Sequence, residues 1–361
     1  MPNTSFDKPV RKGSPYIMIK EIHEQPSVIE NIISRDNELY REIAEALKRS
    51  KKIFILGSGS SFHAGLYLDL ALKKLGYKVF SIVSSEYENY INIADVDTIA
   101  IALSQSGSTT DTLEAVNAFK RRGSKIIGVT NVEKSPLSQL SDYVIYVGAG
   151  VEEAVTATKS FSGQIVNLLR IYLEILGNDS KDQFMLRSYV KYLPRIVRDH
   201  IYRSEVFVRE IVDLIYRKEN AFITGRGFHY ISSLESSLKI KETCGVHAEA
   251  FSLGEIRHGP KSIIDEQYFV GISLRDKKDL DLGKRVINEI YDSDAFIIIS
   301  APEDIEDIPT SDKIFVFRRE SVPEELSMIL EVITYQLISY YIALARLLDP
   351  DRPRRLTKVV I

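Results

Sequence analysis

Short runs that are apolar at nearly every position recur through this chain, and they limit its fold more than any other feature. They stand at residues 53–56, 79–83, 99–103, 126–129 and 144–147, and again at 221–224, 269–273, 295–299 and 314–317. Runs buried on both faces belong in a parallel sheet covered by helices, and helical patterns fill most of the gaps here. The first run of each set is followed by a glycine-spaced turn that opens a helix, Gly57-Ser58-Gly59 and Gly225-Arg226-Gly227. The chain therefore reads as α/β, with two tandem copies of one unit, each a doubly wound, mainly parallel sheet flanked by helices. We place the copies at residues 35–185 and 186–348, between an N-terminal segment, 1–34, and a C-terminal tail, 349–361. Helical segments over about 160–217 join them.

The two Gly-x-Gly turns do not complete a dinucleotide fingerprint, because the third glycine is replaced by Phe62 in one and Tyr230 in the other. No Gly-Lys-Ser/Thr of a Walker A loop occurs. A length of 361 residues suits two ordinary domains, and 44% hydrophobic with 27% charged residues is a globular composition. A net charge of −3 gives the whole chain no pull toward nucleic acid. The single cysteine, Cys244, excludes an internal disulfide framework, and a cytoplasmic setting fits best. The polar, proline-containing N-terminus does not read as a signal peptide. The longest apolar stretch, 326–348, carries Glu331, Thr334, Gln336 and Ser339, so it reads as a buried helix rather than a membrane span, with Pro323 suited to its start.

Three segments carry candidate chemistry. Leu103-Ser104-Gln105-Ser106-Gly107-Ser108-Thr109-Thr110 lies between an apolar run and a helical pattern. It reads either as an ordinary capped helix or as an anion site, in which first-turn N–H groups and uncharged hydroxyls hold a phosphate. Glu235, Lys239 and Glu242 are spaced to share one helix face. They form either a surface ion pair or a carboxylate and amine converging on a pocket as acid and base. From Val246 to Pro260 come His247, Glu249, Glu255 and His258, whose spacing matches no common zinc pattern. We expect neither metal nor cofactor, and His258, before Gly259-Pro260, suits a proton carrier. The tail ends soon after Lys358, as a basic terminus or as an amine able to form a Schiff base with a carbonyl sugar.

Taken together these segments resemble the double sugar-isomerase (SIS) domain family, and within it the isomerase part of the glucosamine-6-phosphate synthases. The likeness spans Met18-Ile-Lys20 to Pro26, Gly57 to Ser61, Leu103 to Gly107, Ala157-Thr-Lys159, Gly225 to Gly227, 234–242, His247 to Ala250, Gly254 to Pro260 and Pro353 to Lys358. The resemblance implies that Ser61, Ser104, Gln105, Ser106 and Thr109 bind the sugar phosphate. It implies that Ser58, Ser60 and the backbone at Val155 hold the sugar, with Arg226 and Glu235 beside them. Glu242 would move a proton between C1 and C2, assisted by Lys239, and Lys358 would form the imine. His258, supplied across a homodimer in this family, would open the sugar ring.

The expected activity is the interconversion of fructose 6-phosphate plus ammonia with glucosamine 6-phosphate, as synthase or deaminase. The alternatives are a fructosamine-phosphate deglycase and a non-catalytic sugar-phosphate regulator, and a regulator has no need of Glu242, Lys239, His258 and Lys358 together. Two positions depart from the family pattern: Ala157 replaces a sugar-binding serine, and Thr357 replaces the alanine before the lysine. In the synthases a glutaminase cysteine follows the initiator methionine, where this chain has Pro2. We therefore expect a separate glutaminase chain, or ammonia used or released directly.

Overall fold

The computed structural model describes residues 16–177 and 181–358. The chain divides into two compact units. One takes the chain up to residue 24, 153–158 and 196–356; the other takes 25–152, 159–195 and 357 onward. In chain order the elements begin with α1 (Ile17–Ile33), α2 (Glu38–Arg49), β1 (Lys52–Gly57), α3 (Ser60–Lys74), β2 (Val79–Val83), β3 (Thr98–Leu103), α4 (Thr110–Arg121), β4 (Lys125–Thr130), α5 (Pro136–Leu140), β5 (Tyr143–Tyr146), α6 (Lys159–Leu176) and α7 (Lys181–Ile215). They continue with β6 (Asn220–Gly225), α8 (Phe228–Cys244), β7 (His247–Ser252), β8 (Tyr268–Ser273), α9 (Lys277–Ile290), β9 (Phe296–Pro302), β10 (Ile314–Arg319) and α10 (Glu324–Ala345).

The first sheet has the order β2-β1-β3-β4-β5, with every pair parallel. Side chains alternate across it. Phe54, Leu56, Ala100, Ala102 and Ile126 pack on one face with Ala115, Val116 and Phe119 of α4. The opposite face meets α3, where Gly65 lies so close that a Cβ would stand 2.5 Å from Ile55 Cγ2. Burial on both faces is why these strands read as continuous apolar runs rather than alternating ones.

The second sheet, β10-β9-β8-β6-β7, repeats that order when read from β7, and it too is wholly parallel. Phe222, Val270, Ile272, Ile297 and Ile299 pack with Val286, Ile287 and Ile290 of α9. On the other face Gly271 admits Tyr335 of α10; a Cβ there would stand 1.9 Å from the phenol oxygen. In such sheets neighbouring strands that send their helices to opposite faces open a crevice at their carboxyl ends, and ligands bind there. In the first sheet that place lies beyond β1 and β3.

Two elements escape the apolar pattern. β7 is an edge strand whose His247-Ala-Glu-Ala-Phe-Ser keeps only Ala248 buried, so it carries no apolar run. α1 contains Pro26, which hides its periodicity, yet Met18, Ile22, Ile29 and Ile32 are all fully buried along it. Helix α10 is apolar and long enough to cross a membrane by composition, but 89% of that stretch is buried inside the protein, as the polar residues within it foretold.

Candidate active site

The hydroxyl-rich loop follows β3 directly. Ser104 N–H donates to Val129 O at 3.0 Å, so the loop leaves the sheet in ladder geometry. The chain then folds back on itself: Gly107 N–H donates to Ser104 Oγ at 3.0 Å, and Ser108 N–H to Ser106 Oγ at 3.2 Å. Gly107 has φ +65°, and a Cβ on it would stand 2.2 Å from Ser135 Oγ, so only glycine fits. Ser104 Oγ and Thr109 Oγ1 are 3.0 Å apart. Thr109 sits at the N-cap of α4 without capping it through its side chain. Across the crevice, beyond β1, the N-cap of α3 is Gly59 with φ +54°, again without a side-chain cap. Two helix N-termini without a side-chain cap thus lie at the ends of adjacent strands, a fitting place for an anion. Ser61 is buried at the head of α3 and accepts from Gln164 Nε2 at 3.1 Å. Ser58 Oγ is buried and has no hydrogen-bond partner among the described residues. Ser60 and Gln105 are partly exposed on the same two loops.

Helix α8 of the other unit carries Glu235, Lys239 and Glu242. Lys239 Nζ lies 3.0 Å from Glu235 Oε1 and 2.8 Å from Glu242 Oε2. The ion pair is not on the surface: the Lys239 and Glu235 side chains have 0% exposure, and Glu242 has 22%. Burial alone would push the Lys239 ammonium toward neutrality, but the two carboxylates outweigh it and hold its pKa above the usual lysine range. Glu242 edges a cavity of about 330 Å³ bounded by the end of α8 and by residues 347–354. A carboxylate half in a cavity and backed by a buried cation is placed to exchange protons with a bound molecule.

The remaining candidates fall in one unit or the other. In the α8 unit, Val155 N–H donates to Asp351 O at 3.1 Å. Arg226 is half-exposed, 3.4 Å from Asp279. His258 is exposed after a 3-10 turn (Glu255–Arg257). Arg257 and Lys261 on either side of it both bond Glu289 of α9, at 2.6 Å each at closest. Lys358 lies in the hydroxyl-loop unit, with its Nζ 2.8 Å from Glu152 Oε2.

Glu152 was not singled out in the sequence. Its signal is faint: an acidic residue shortly before Ala157-Thr158-Lys159, ahead of a helix, where the N-terminal dipole favours a carboxylate.

Residues 46–172 match the SIS domain family. Over 357 residues, 99% of the chain, it is 34% identical to glutamine–fructose-6-phosphate aminotransferase (isomerizing) of Pyrobaculum aerophilum, covering 59% of that protein. The chain thus spans about three fifths of the length of the curated relatives it matches. Among solved structures it is similar to the C-terminal domain of glucosamine-fructose-6-phosphate aminotransferase from Francisella tularensis, with TM-score 0.86 and 27% identity over 94% of this chain and 99% of that one. It is also similar to glucosamine-6-phosphate deaminase from Thermotoga maritima, with TM-score 0.76 and 26% identity over 95% of this chain and 99% of that one.

The SIS match covers the first sheet, whose loops carry the hydroxyls. The second sheet has the same strand order but different loops. There Asp279, with no exposure, fills the place after β8, accepting from Arg275 Nε at 2.7 Å and Nη2 at 2.9 Å. His229, the counterpart of Ser61 after the glycine turn, is buried between Ser273 Oγ at 2.5 Å and Ser327 Oγ at 2.7 Å.

Proposed function

We propose that the chain is a phosphosugar aldose–ketose enzyme that interconverts fructose 6-phosphate plus ammonia with glucosamine 6-phosphate. The phosphate is held by Ser61, Ser104, Gln105, Ser106 and Thr109, and the sugar by Ser58, Ser60, the Val155 backbone, Arg226 and Glu235. Glu242 carries the proton between C1 and C2, while the Lys239 ammonium stabilises negative charge on the neighbouring oxygens. Lys358 forms the imine with the keto sugar. His258 of the partner subunit opens the ring in a cytoplasmic homodimer. Ammonia reaches the site from solution or from a separate glutaminase chain.

One observation carries this reading: the partly exposed Glu242 carboxylate beside a fully buried Lys239, at the edge of a cavity. An aldose–ketose exchange needs a base that can also return the proton, and a nearby cation for the charge that develops on oxygen. Support also comes from the names of the similar proteins, which are aminotransferases and a deaminase of these sugar phosphates. A second reading is a fructosamine-phosphate deglycase, which would use the same proton base and lodge a bulkier amine; Ala157 and Thr357 are positions where substrate choice can differ.

The test is an assay of the purified chain with glucosamine 6-phosphate, with fructose 6-phosphate and ammonium, and with a phosphorylated fructosamine. The first two should turn over. Glu242→Gln should lose turnover by roughly 10²–10⁴-fold while still binding sugar phosphate. Turnover of the fructosamine alone would replace the leading reading with the deglycase.

A further inference from the structure

We propose that Glu152 is the counter-ion of Lys358 in two chemical forms: the ammonium of the resting protein, and the protonated imine that the lysine forms with a keto sugar phosphate. The inference rests on the preceding section, where Lys358 is the imine-forming residue, and it assigns a positioning role to a carboxylate that lies outside the residues named there.

The geometry is that of a built counter-ion site. The Glu152 side chain has no exposure to solvent, and Lys358 Nζ stands 2.8 Å from its Oε2. Ser160 Oγ donates to the same oxygen at 2.7 Å, and Ser160 N–H to the other at 3.0 Å. Ser160 lies in the first turn of α6, so the carboxylate also sits at the positive end of an 18-residue helix. Burial alone would push this carboxyl up; Lys358 and Ser160 outweigh it and hold it below the usual carboxylate range. The charge facing Glu152 is the Lys358 ammonium. Lys159, buried at the head of α6, is the next cation along the chain.

A buried carboxylate that loses its cation is strongly unfavourable. Imine formation restores the cation by its end. The lysine nitrogen forms its bond to the sugar carbonyl carbon, and the carbonyl oxygen leaves as water with two of the three ammonium protons. The third proton stays on nitrogen. The lysine gives up one of those two protons to attack as the neutral amine, and the nitrogen is again a cation once water has left, so Glu152 has a cationic partner at the start and at the end of the step. A protonated imine withdraws electrons from the adjacent carbons, which is the form that eases removal of the proton between C1 and C2. Without the carboxylate the imine would surrender its proton at lower pH.

Cyanoborohydride reduces the protonated imine and not the neutral one, so it reads this proton directly. The full chain is incubated with fructose 6-phosphate and cyanoborohydride over a series of buffers from neutral to alkaline, and the Lys358 adduct is measured by mass spectrometry. In the wild-type chain labelling should persist into the alkaline buffers. In Glu152→Gln the alkaline fall should come at lower pH by about one unit or more, a tenfold weaker hold on the proton. Ser160→Ala, which keeps the charge, should follow the wild-type profile. A Gln variant with lower yield but an unshifted profile would mean that Glu152 only supports the tail, and would overturn the inference. Should that variant fail to fold, Glu152→Asp is read instead: a smaller shift in the same direction supports the proposal, and an unshifted fall overturns it. A wild-type chain that turns over sugar phosphate without labelling Lys358 overturns the inference and leaves the aldose–ketose reading standing. Labelling with the shifted Gln profile supports it even where neither amino-sugar product forms.

Discussion

The two sheets share one strand order and differ in what stands at their carboxyl ends. Beyond β1 and β3 the chain presents neutral hydroxyls at two helix N-termini without a side-chain cap. Beyond β6 and β8 it presents a buried carboxylate, Asp279, already satisfied by Arg275, while Asp276 caps α9 through Lys278 N–H at 2.8 Å. Topology makes a crevice in both units; loop chemistry decides whether an anion has a reason to enter. A helix N-terminus that already holds a carboxylate has its donors engaged and repels a second negative charge. The lesson is that a repeated fold can keep one binding place and turn its counterpart into a staple.

The strongest way to break this contrast is to strip the hydroxyls from the first sheet's loop. Ser104→Ala with Thr109→Ala should raise KM for phosphorylated sugars, with a modest stability loss from the Gly107 N–H that Ser104 accepts. Hydrogen bonds to a charged group are worth roughly 1.5–3 kcal/mol each, or about ten- to a hundredfold in affinity per hydroxyl. Because the two oxygens bond each other at 3.0 Å, the double variant should fall short of the sum of the singles. Substrate titration checks this, and unchanged affinity would remove the loop from the phosphate site.

The matching change in the second sheet should do the opposite. Asp279→Asn leaves Arg275 without its main partner, although Glu324 stays 3.3 Å away. We expect a stability loss of about 3 kcal/mol, the lower end for breaking a buried pair, with at most a small change in KM through Arg226, which Asp279 also pairs at 3.4 Å. The effect has a pH signature. Burial would raise the Asp279 pKa, but the Arg275 bonds and charge outweigh it and hold it below the ordinary range. A carboxyl whose folded pKa is depressed contributes its full stability above the unfolded pKa, about 3.9, and loses it as pH falls through the folded value. Denaturant melts of the wild type and the variant should therefore begin to approach each other below about pH 4 and converge only once pH is below the folded value. A large change in KM with little loss of stability would mean that Asp279 serves the site through Arg226 rather than as a staple.

The sequence reading succeeds where a strand keeps an apolar run and fails where it does not. Ile99 to Leu103 and Ile297 to Ile299 are apolar because both sheet faces are covered, so β3 and β9 were visible. β7 lies at a sheet edge and keeps polar residues, so nothing marked it as a strand. The spacing of Glu235, Lys239 and Glu242 gave one helix face but not its burial; that depends on α10 packing over α8, a contact distant in sequence. Glu152 and Lys358 stand 206 residues apart, and no local pattern could pair them. Gln164 likewise reaches Ser61 only through the packing of α6 on α3.

The smallest expected effect concerns a loop that neither crevice explains. Glu289 of α9 holds Arg257 through Nε at 2.9 Å and Nη2 at 2.6 Å, and Lys261 through Nζ at 2.6 Å, so one carboxylate ties both sides of His258. These bonds hold its pKa down to about 2, so the clamp persists at any working pH and opens only in strong acid. If His258 is the ring-opening residue, the clamp fixes where its imidazole can reach. Glu289→Gln should then lower kcat a fewfold with KM for the phosphate end unchanged, because the hydroxyl loop lies on another element. The pair is near the surface, so salt should weaken it in the wild type and make the two chains converge at high ionic strength. Steady-state kinetics over a salt series reads both effects. Equal kcat for the two chains at low salt would mean that the Arg257–Lys261 clamp has no part in placing His258, and a kcat gap that salt does not close would point to a packing role for Glu289 rather than a charge clamp.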